Sequence, residues 1–167
     1  MLVALISDTH ISGPRRKLPD ACVALISRSD LVVHAGDFMT EEVLDEIEAL
    51  GPPVEAVYGN MDSLELKRRL PAERLVELPG TALGVVHDAG QADGRLERLR
   101  ALFPDAAAVV FGHSHMPLHE TGEGFQIFNP GSPTERRRAP RHSMGLARVE
   151  RGEIRFEHVY IEHLAAR

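Results

Sequence analysis

The chain has 167 residues, a length that favours one domain with a well-buried core. Its hydrophobic fraction of 43% and charged fraction of 26% are typical of a soluble globular protein. The formal net charge of −6 argues against a protein that coats nucleic acid, so no stable nucleic-acid binding is expected. Because no apolar run reaches the roughly 18 residues of a membrane span, we also expect no membrane insertion.

A single cysteine, Cys22, excludes an internal disulfide bond and fits a reducing compartment. Since Cys22 lies among apolar residues in a helix-like segment, we expect its thiol to be buried and unreactive. The apolar segment 1–6 is too short for a signal peptide and has no basic leader, so it is interpreted as a first strand. These features predict a cytoplasmic protein.

The first half of the sequence alternates short apolar runs with helix-like segments, the pattern of a parallel α/β sheet. Strands are predicted at Leu2–Ile6, Leu31–Ala35 and Val54–Tyr58. Helices are predicted at Asp20–Arg28, from Glu41 to the residues before Gly51-Pro52-Pro53, and at Ser63–Leu70. Thr40 is expected to cap the second of these helices. Such alternation implies parallel strand pairing through right-handed crossovers.

The second half begins with the same alternation and then changes to short strands. It is predicted to contain a strand at Leu83–His87, a helix at Arg95–Leu102, and further strands at Ala107–Phe111, Leu118–Thr121, Phe125–Phe128, Met144–Glu150 and Glu153–Tyr160. A hairpin turn at Arg151-Gly152 joins the last two strands. The late strands suggest a second sheet packed on the first. No linker divides the chain, so a single domain over residues 1–167 is predicted, with two sheets face to face and helices outside.

Side chains that can bind metals follow the apolar runs, at the point where each strand ends. They are Asp8, His10, Asp37, Asn60, His87, His113 and His115. Because the carboxyl ends of parallel strands meet at one edge of a sheet, we expect these side chains to converge. Carboxylate, amide and imidazole donors without a thiolate suit Mn²⁺, Fe²⁺, Zn²⁺ or Ni²⁺. Seven ligands fit two ions that share a bridging carboxylate better than one tetrahedral zinc.

His113 and His115 are one residue apart, directly after an apolar strand. An extended segment would direct both imidazoles at one cluster, whereas a loop would let them reach neighbouring metals. Taken alone, Gly36-Asp37 is typical of a turn and His87 of a hydrogen-bonded core residue. Their shared position at strand ends is what favours a site. His34 is compatible with orienting a ligand and equally with a satisfied place in the core.

The complete series of motifs resembles the calcineurin-like metallophosphoesterase superfamily, and in particular its small single-domain, YfcE-type phosphodiesterase branch. The motifs are Asp8-Thr9-His10, Gly36-Asp37, Gly59-Asn60-Met61-Asp62, His87, Gly112-His113-Ser114-His115 and Asn129-Pro130-Gly131-Ser132. The resemblance spans about residues 1–160. It implies an α/β fold that is a four-layer sandwich of two packed mixed β-sheets flanked by α-helices.

The same resemblance implies a centre of two divalent ions, expected to be Mn²⁺, with Fe²⁺, Ni²⁺ and Zn²⁺ as alternatives. One ion would be held by Asp8, His10 and His115 together with the bridging Asp37. The ligands of the other would be Asp37, Asn60, His87 and His113. The loop Asn129–Ser132 is expected to position backbone rather than to supply ligands.

By resemblance the protein is a metal-dependent hydrolase of small phosphate esters, with diesters preferred, in which a hydroxide that bridges the two metals attacks phosphorus in line. Asp37, Asn60 and His87 are the expected catalytic residues, with Asn60 also contacting the substrate. Arg138 is predicted to bind the substrate phosphate, the alternative being a solvated basic loop. Met61 stands where the wider superfamily carries a histidine that protonates the leaving group. A thioether cannot donate a proton, so a good leaving group or a proton from water is expected.

Two other functions are compatible with these residues. One is a phosphomonoesterase, which differs only in the shape of its pocket. The other is a catalytically weak or inactive scaffold for protein interaction on the same fold, as in the retromer-subunit relatives of the family. Such relatives typically lose metal ligands, whereas every ligand position is filled here, so the enzyme is favoured. A homo-oligomer is compatible with the sequence.

Overall fold

A computed structural model of the chain describes residues 1–13 and 16–161. These residues form ten strands: β1 (Leu2–Ile6), β2 (Leu31–His34), β3 (Val54–Ala56), β4 (Glu73–Leu78), β5 (Thr81–Val86), β6 (Ala108–Val110), β7 (Leu118–Gly122), β8 (Phe125–Asn129), β9 (Ser143–Glu150) and β10 (Glu153–Tyr160). They also form four helices: α1 (Asp20–Ile26), α2 (Glu41–Glu48), α3 (Leu64–Arg69) and α4 (Arg95–Leu102).

The strands make two five-stranded mixed sheets. The first sheet has the order β10-β9-β1-β2-β3, and the second has the order β4-β5-β6-β8-β7. Strand β2 pairs in parallel with β1 and β3, and β6 pairs in parallel with β5 and β8. The expected parallel pairing is therefore present in both sheets, and in each it aligns the carboxyl ends of neighbouring strands.

Alternation of side chains along the strands builds the layers. In β1, Val3 and Leu5 pack between the two sheets, whereas Ala4 and Ile6 face helices on the outside. In β6, Val110 belongs to the same inner core while Val109 faces α4. Helices α1, α2 and α3 cover the first sheet and α4 covers the second. The predicted four-layer α/β sandwich is confirmed.

Most helix boundaries follow from local sequence signals. Ser63 caps α3, since its Oγ accepts the N–H of Leu66 at 3.1 Å. Thr40 occupies the expected N-cap position of α2 in extended backbone, but its side chain accepts no N–H of that helix. Cys22 lies on the buried side of α1, and burial raises the pKa of its thiol to about 12. Within the described ranges no helix is long and apolar enough to cross a membrane.

The distribution of the late strands differs from the expectation. Strands β9 and β10 extend the first sheet, because β9 pairs antiparallel with β1, so only β7 and β8 of the late block join the second sheet. Strand β4 was not predicted. It lies at an edge, mixes three charged residues with three apolar ones, and buries only Val76 and Leu78, so its sequence lacks the apolar run that marked the other early strands.

Candidate metal centre

Seven side chains predicted as ligands come together at one edge of the sandwich. They come from the segments that follow five strands and are Asp8, His10, Asp37, Asn60, His87, His113 and His115, here called the ligand cluster. Two groups within it hold donor atoms close enough to share an ion: Asp8 with His10 and His115, and Asp8 with Asp37 and His87. Both groups are buried. The convergence expected from strand-end positions is therefore present.

Asp37 lies at the centre of the ligand cluster. Its Oδ2 is 3.4 Å from His10 Nε2 and 3.3 Å from His87 Nε2, so one oxygen faces both imidazoles. Its Oδ1 accepts the backbone N–H of Met61 at 2.8 Å. Because that bond occupies Oδ1 and orients the carboxylate, Oδ2 is the atom directed between the two sides of the cluster.

Asp8 and His115 form one side of the ligand cluster together with His10. His115 Nε2 lies 3.3 Å from Asp8 Oδ1 and 3.2 Å from His10 Nε2. The hydroxyl of Ser7 donates to Asp8 Oδ2 at 2.6 Å and holds that carboxylate in place. This side thus presents one carboxylate oxygen and two imidazole nitrogens at short mutual distances.

On the other side of the ligand cluster, Asn60 contacts both His87 and His113. Its Oδ1 is 3.0 Å from His87 Nε2 and 3.0 Å from His113 Nδ1. The Asn60 side chain is exposed, whereas Asp37 and His87 are buried. The amide therefore stands at the solvent edge of the cluster, where it can meet an incoming molecule.

Backbone conformation explains how these loops turn their side chains inward. Five residues of the ligand cluster have positive φ, at 56°, 43°, 61°, 66° and 58°: Asp8, His10, Asp37, His113 and His115. Left-handed backbone is uncommon for residues other than glycine and concentrates at functional sites. The segment after β6 is therefore a loop rather than an extended chain. Of the two backbone forms considered for the paired histidines, the loop is the one observed, and in it His113 contacts Asn60 while His115 contacts His10.

Hydrogen bonds fix which ring nitrogen of two histidines faces the cluster. His87 Nδ1 donates to the carbonyl of Ala35 at 2.7 Å, and His115 Nδ1 donates to the carbonyl of Glu135. In the neutral imidazoles Nε2 then carries a lone pair directed into the cluster. Such backbone partners are typical of histidines that bind metals.

The contacts made by these lone pairs test whether a cation fits. His115 Nε2 faces His10 Nε2, and His87 Nε2 faces both Asn60 Oδ1 and Asp37 Oδ2. Acceptors this close repel one another unless a proton or a cation lies between them. The nitrogen and oxygen donors without thiolate match divalent ions such as Mn²⁺ or Zn²⁺. The residues present therefore fit a metal.

The pKa shifts of Asp37 and His87 agree with a site that attracts positive charge, whereas that of His10 does not. Burial alone would raise the pKa of Asp37, but the hydrogen bond from His87, its positive charge and the Met61 N–H together lower it to about 2. Burial lowers the pKa of His10. For His87, burial is outweighed by the hydrogen bond to Asp37 and the charge of Asp8, and the pKa is raised.

The loop Asn129–Ser132 holds the backbone of the cluster, as expected. Ser132 Oγ donates to the carbonyl of Asp8 at 2.7 Å, and Asn129 Nδ2 donates to the carbonyl of Gly112 at 2.8 Å. Gly112 allows the segment after β6 to approach the segment after β1 closely, because a Cβ there would overlap Ser7 Oγ and lie 2.7 Å from Asp8 Oδ2.

His34 occupies the core rather than the ligand cluster. Its side chain is fully buried, its ring stacks on Phe38 at 3.5 Å, and its Nδ1 accepts the N–H of Gly36 at 3.1 Å. Nε2 lies 3.2 Å from Thr9 Oγ1, and burial lowers the pKa of His34 well below its usual value. Of the two interpretations of His34, the satisfied core residue is therefore the one observed.

Two further residues, Asp62 and Arg16, support the ligand cluster, although no role was predicted for either from the sequence. Asp62, the last residue of Gly59-Asn60-Met61-Asp62, is buried and accepts three backbone N–H groups. Arg16 donates to Glu135 Oε2 at 2.6 Å and to the carbonyl of His10 at 3.1 Å, which ties the loops of His10 and His115 together. Of the two, only Asp62 had a signal in the sequence, because it belongs to the motif Gly59-Asn60-Met61-Asp62.

Arg138 and Met61 lie at the surface. Arg138 is exposed, three residues after Glu135, and the described residues show no contact between it and the cluster. Met61 exposes 49% of its surface beside Asn60. The prediction that Arg138 contacts the substrate remains a prediction.

Comparison with known proteins agrees with this geometry. The calcineurin-like phosphoesterase superfamily domain matches residues 1–152. A probable metallophosphoesterase of Methanothermobacter thermautotrophicus is 36% identical over 136 residues, which cover 80% of this chain and 78% of the relative. A phosphodiesterase of Methanocaldococcus jannaschii is 26% identical over 143 residues, which cover 78% of this chain and 83% of that protein.

A solved structure shows the same fold. Wild-type Vps29 of Entamoeba histolytica complexed with Zn²⁺ has a TM-score of 0.75 at 21% identity, covering 96% of this chain and 99% of that chain. At this identity the likeness concerns the fold alone. The family match and the archaeal relative each extend over most of the chain, and the family match includes the segments that build the ligand cluster. The chain therefore belongs to the calcineurin-like phosphoesterase superfamily, in its branch of small metallophosphoesterases.

Proposed function

We propose that this protein is a dinuclear-metal-dependent phosphoesterase that hydrolyses phosphodiester bonds in small substrates. The observation that carries the proposal is the position of Asp37 Oδ2, 3.4 Å from His10 Nε2 and 3.3 Å from His87 Nε2. A carboxylate oxygen between two imidazoles, each with further ligand-type neighbours, is the arrangement that a bridging ligand requires. No nucleophile from the protein is needed.

In this proposal Asp8, His10 and His115 hold one ion, and Asp37 is shared with the second. The remaining ligands of the second ion are Asn60, His87 and His113. Mn²⁺ is the proposed metal, with Fe²⁺, Ni²⁺ and Zn²⁺ as alternatives, since the donors are imidazole and oxygen. When bound, the two ions supply an activated water and offset the negative charge that develops on the phosphate.

The chain's own residues orient that chemistry. The carbonyls of Ala35 and Glu135 hold the imidazoles of His87 and His115 with Nε2 turned inward. Because Asn60 Oδ1 faces both His87 and His113, its amide nitrogen is turned away from them and can donate to a phosphate oxygen. Asn60 thus acts on the substrate as well as on the second ion.

Preference for diesters rests on the leaving group and on a relative. Met61 cannot donate a proton, so the departing alkoxide must be stable or be protonated by water. The Methanocaldococcus relative is named a phosphodiesterase. Arg138, exposed on the loop after Ser132, is proposed to contact a charged part of the substrate.

The test measures turnover of bis(p-nitrophenyl) phosphate and metal content in the same samples. We expect two Mn²⁺ per chain, turnover that a chelator removes, and turnover that added Mn²⁺ restores. Asp37→Ala should lose the bridge, so activity should fall by more than about 100-fold, given that even outer partners of metal ligands are worth about 10–100-fold. Asp105→Ala removes an exposed carboxylate elsewhere and should change nothing. Near-normal turnover by Asp37→Ala with two bound metals would contradict the dinuclear mechanism.

A scaffold without catalysis is the second candidate, favoured by the Vps29 fold neighbour. The two candidates differ in turnover. A protein that shows no turnover with Mn²⁺ would be assigned to the scaffold whether or not it binds metal, since the Vps29 neighbour is itself complexed with Zn²⁺. The filled ligand cluster supports the enzyme.

A further inference from the structure

Asp62 is a buried carboxylate with no place in the proposed chemistry. Asp62 exposes 5% of its surface and lies two residues after Asn60. Burying a carboxylate is costly unless hydrogen bonds compensate. The question is which groups it binds and what that does to the ligand cluster.

Both carboxylate oxygens of Asp62 accept backbone N–H groups from the loops after β2 and β3. Oδ2 accepts from Gly59 at 2.7 Å and from Asp37 at 3.1 Å, and Oδ1 accepts from Met39 at 2.8 Å. One side chain therefore joins the loop that carries Asp37 to the loop that carries Asn60.

Two of these three N–H groups belong to strained residues. Asp37 has φ of 61° and Met39 has φ of 102°, both in the region that favours glycine. Such conformations persist only where neighbouring groups over-determine them. The bonds to Asp62 are well placed to hold this part of the chain in a conformation that it would otherwise leave.

The same two segments are also joined in the opposite direction. The carboxylate of Asp37 accepts the N–H of Met61, next to Asp62, while the carboxylate of Asp62 accepts the N–H of Asp37. Gly59 lies so close that a Cβ there would overlap Asp37 Oδ1. Each carboxylate thus fixes the backbone that carries the other, and the direction of Asp37 Oδ2 depends on both.

We propose that Asp62 is a positioning residue that sets the bridging geometry of Asp37 and the place of Asn60, and thereby the affinity for the second ion. This inference rests on the proposed dinuclear function. Asp62 touches no donor atom of the cluster and acts only through the backbone of its two loops.

Asp62→Asn is the sharpest test, because it keeps size and changes one oxygen to an amide. An Asn can present its oxygen to Gly59 and Asp37, but its NH₂ group then meets the N–H of Met39, donor against donor. We expect the variant to fold and to bind the second Mn²⁺ about 10–100-fold more weakly, as outer partners of metal ligands do. At saturating Mn²⁺ we expect kcat to fall while KM for bis(p-nitrophenyl) phosphate stays within about twofold.

Leu99→Ala provides the control for lost stability alone. Leu99 is buried in α4 against Phe103 and Ile127, in a part of the core that contains none of the ligand cluster. Its truncation should lower the melting temperature and leave Mn²⁺ affinity unchanged. Metal affinity is measured by calorimetric titration of each metal-free protein, independently of turnover.

The outcomes separate the two proposals. If wild type binds two Mn²⁺ and Asp62→Asn matches it in affinity and kcat, the positioning role is wrong while the proposed function stands. If wild type binds no metal, the proposed function is wrong, and the positioning role, which rests on it, is wrong as well. If Asp62→Asn does not fold, Asp62→Glu takes its place: it keeps both oxygens but moves them by one methylene, and the same weakened affinity is expected. Affinity equal to wild type in Asp62→Glu would overturn the inference.

Discussion

At the scale of single residues, backbone and side chain at position 61 have separate tasks. The N–H of Met61 donates to Asp37 Oδ1 at 2.8 Å, while the residue as a whole leaves 49% of its surface exposed. A substitution can therefore change the chemistry of the side chain without removing the bond that orients Asp37.

Met61→His is expected to supply the missing proton donor. General acid catalysis is typically worth about 10²–10⁴-fold, so turnover of alkyl phosphodiesters should rise by at least about tenfold. Turnover of nitrophenyl esters, whose leaving group needs no proton, should change little. Met61→Leu is the control, since it alters shape without adding a donor. Equal ratios of alkyl to nitrophenyl turnover in both variants would contradict this account of position 61.

At the scale of secondary-structure elements, two helices near the cluster begin differently. Ser63 caps α3 with a hydrogen bond from Leu66 and also donates to Glu41 Oε2 at 3.0 Å. Thr40 precedes α2 without a side-chain bond to an N–H of that helix. The same residue class at the same helix position therefore contributes differently to stability.

Ser63→Ala should lower the free energy of unfolding by about 1 kcal/mol, the usual effect of losing an N-cap. Thr40→Ala should change it by less than about 0.5 kcal/mol, as at most surface positions without such a bond. Urea denaturation of the metal-free proteins measures both. Equal losses in the two variants would show that the caps do not differ in the way described.

At the scale of the whole molecule, the ligand cluster joins the two sheets. Asp8, His10, Asp37 and Asn60 follow strands of the first sheet, and His87, His113 and His115 follow strands of the second. An ion held by residues of both sets would close the sandwich at this edge. Metal binding and global stability are therefore expected to be coupled, since a ligand that binds only the folded state stabilises it.

Mn²⁺ at about 100 times its dissociation constant should add about 2.7 kcal/mol to the free energy of unfolding. For a chain of this size the melting temperature should then rise by about 5–10 °C. A chelator should reverse the shift, Asp37→Asn should reduce it, and Asp105→Asn should leave it intact. A melting temperature that neither Mn²⁺ nor chelator changes would exclude this coupling.

Local patterns predicted most of the elements and the members of the cluster. Strand β1 was located at its observed bounds, and the hairpin between β9 and β10 turns at Arg151-Gly152, where both residues have positive φ. Strand β4 was missed because an edge strand buries few side chains and leaves a weak apolar signal. The pairing of β9 with β1 joins segments about 140 residues apart and has no local signature.

The sequence by itself determined which kinds of side chain follow each strand, and therefore the nitrogen and oxygen donors of the ligand cluster. It could do so because the alternation that marks a strand and the residue types at its end are both local features of the sequence. Tertiary structure alone decided that His113 meets Asn60 while His115 meets His10, since left-handed loops rather than strand period direct these rings. It alone also placed Asp62 between the loops of Asp37 and Asn60. Such contacts involve backbone groups that are distant in the chain. Because every residue except proline carries the same backbone N–H, the sequence does not reveal which of them a carboxylate will bind.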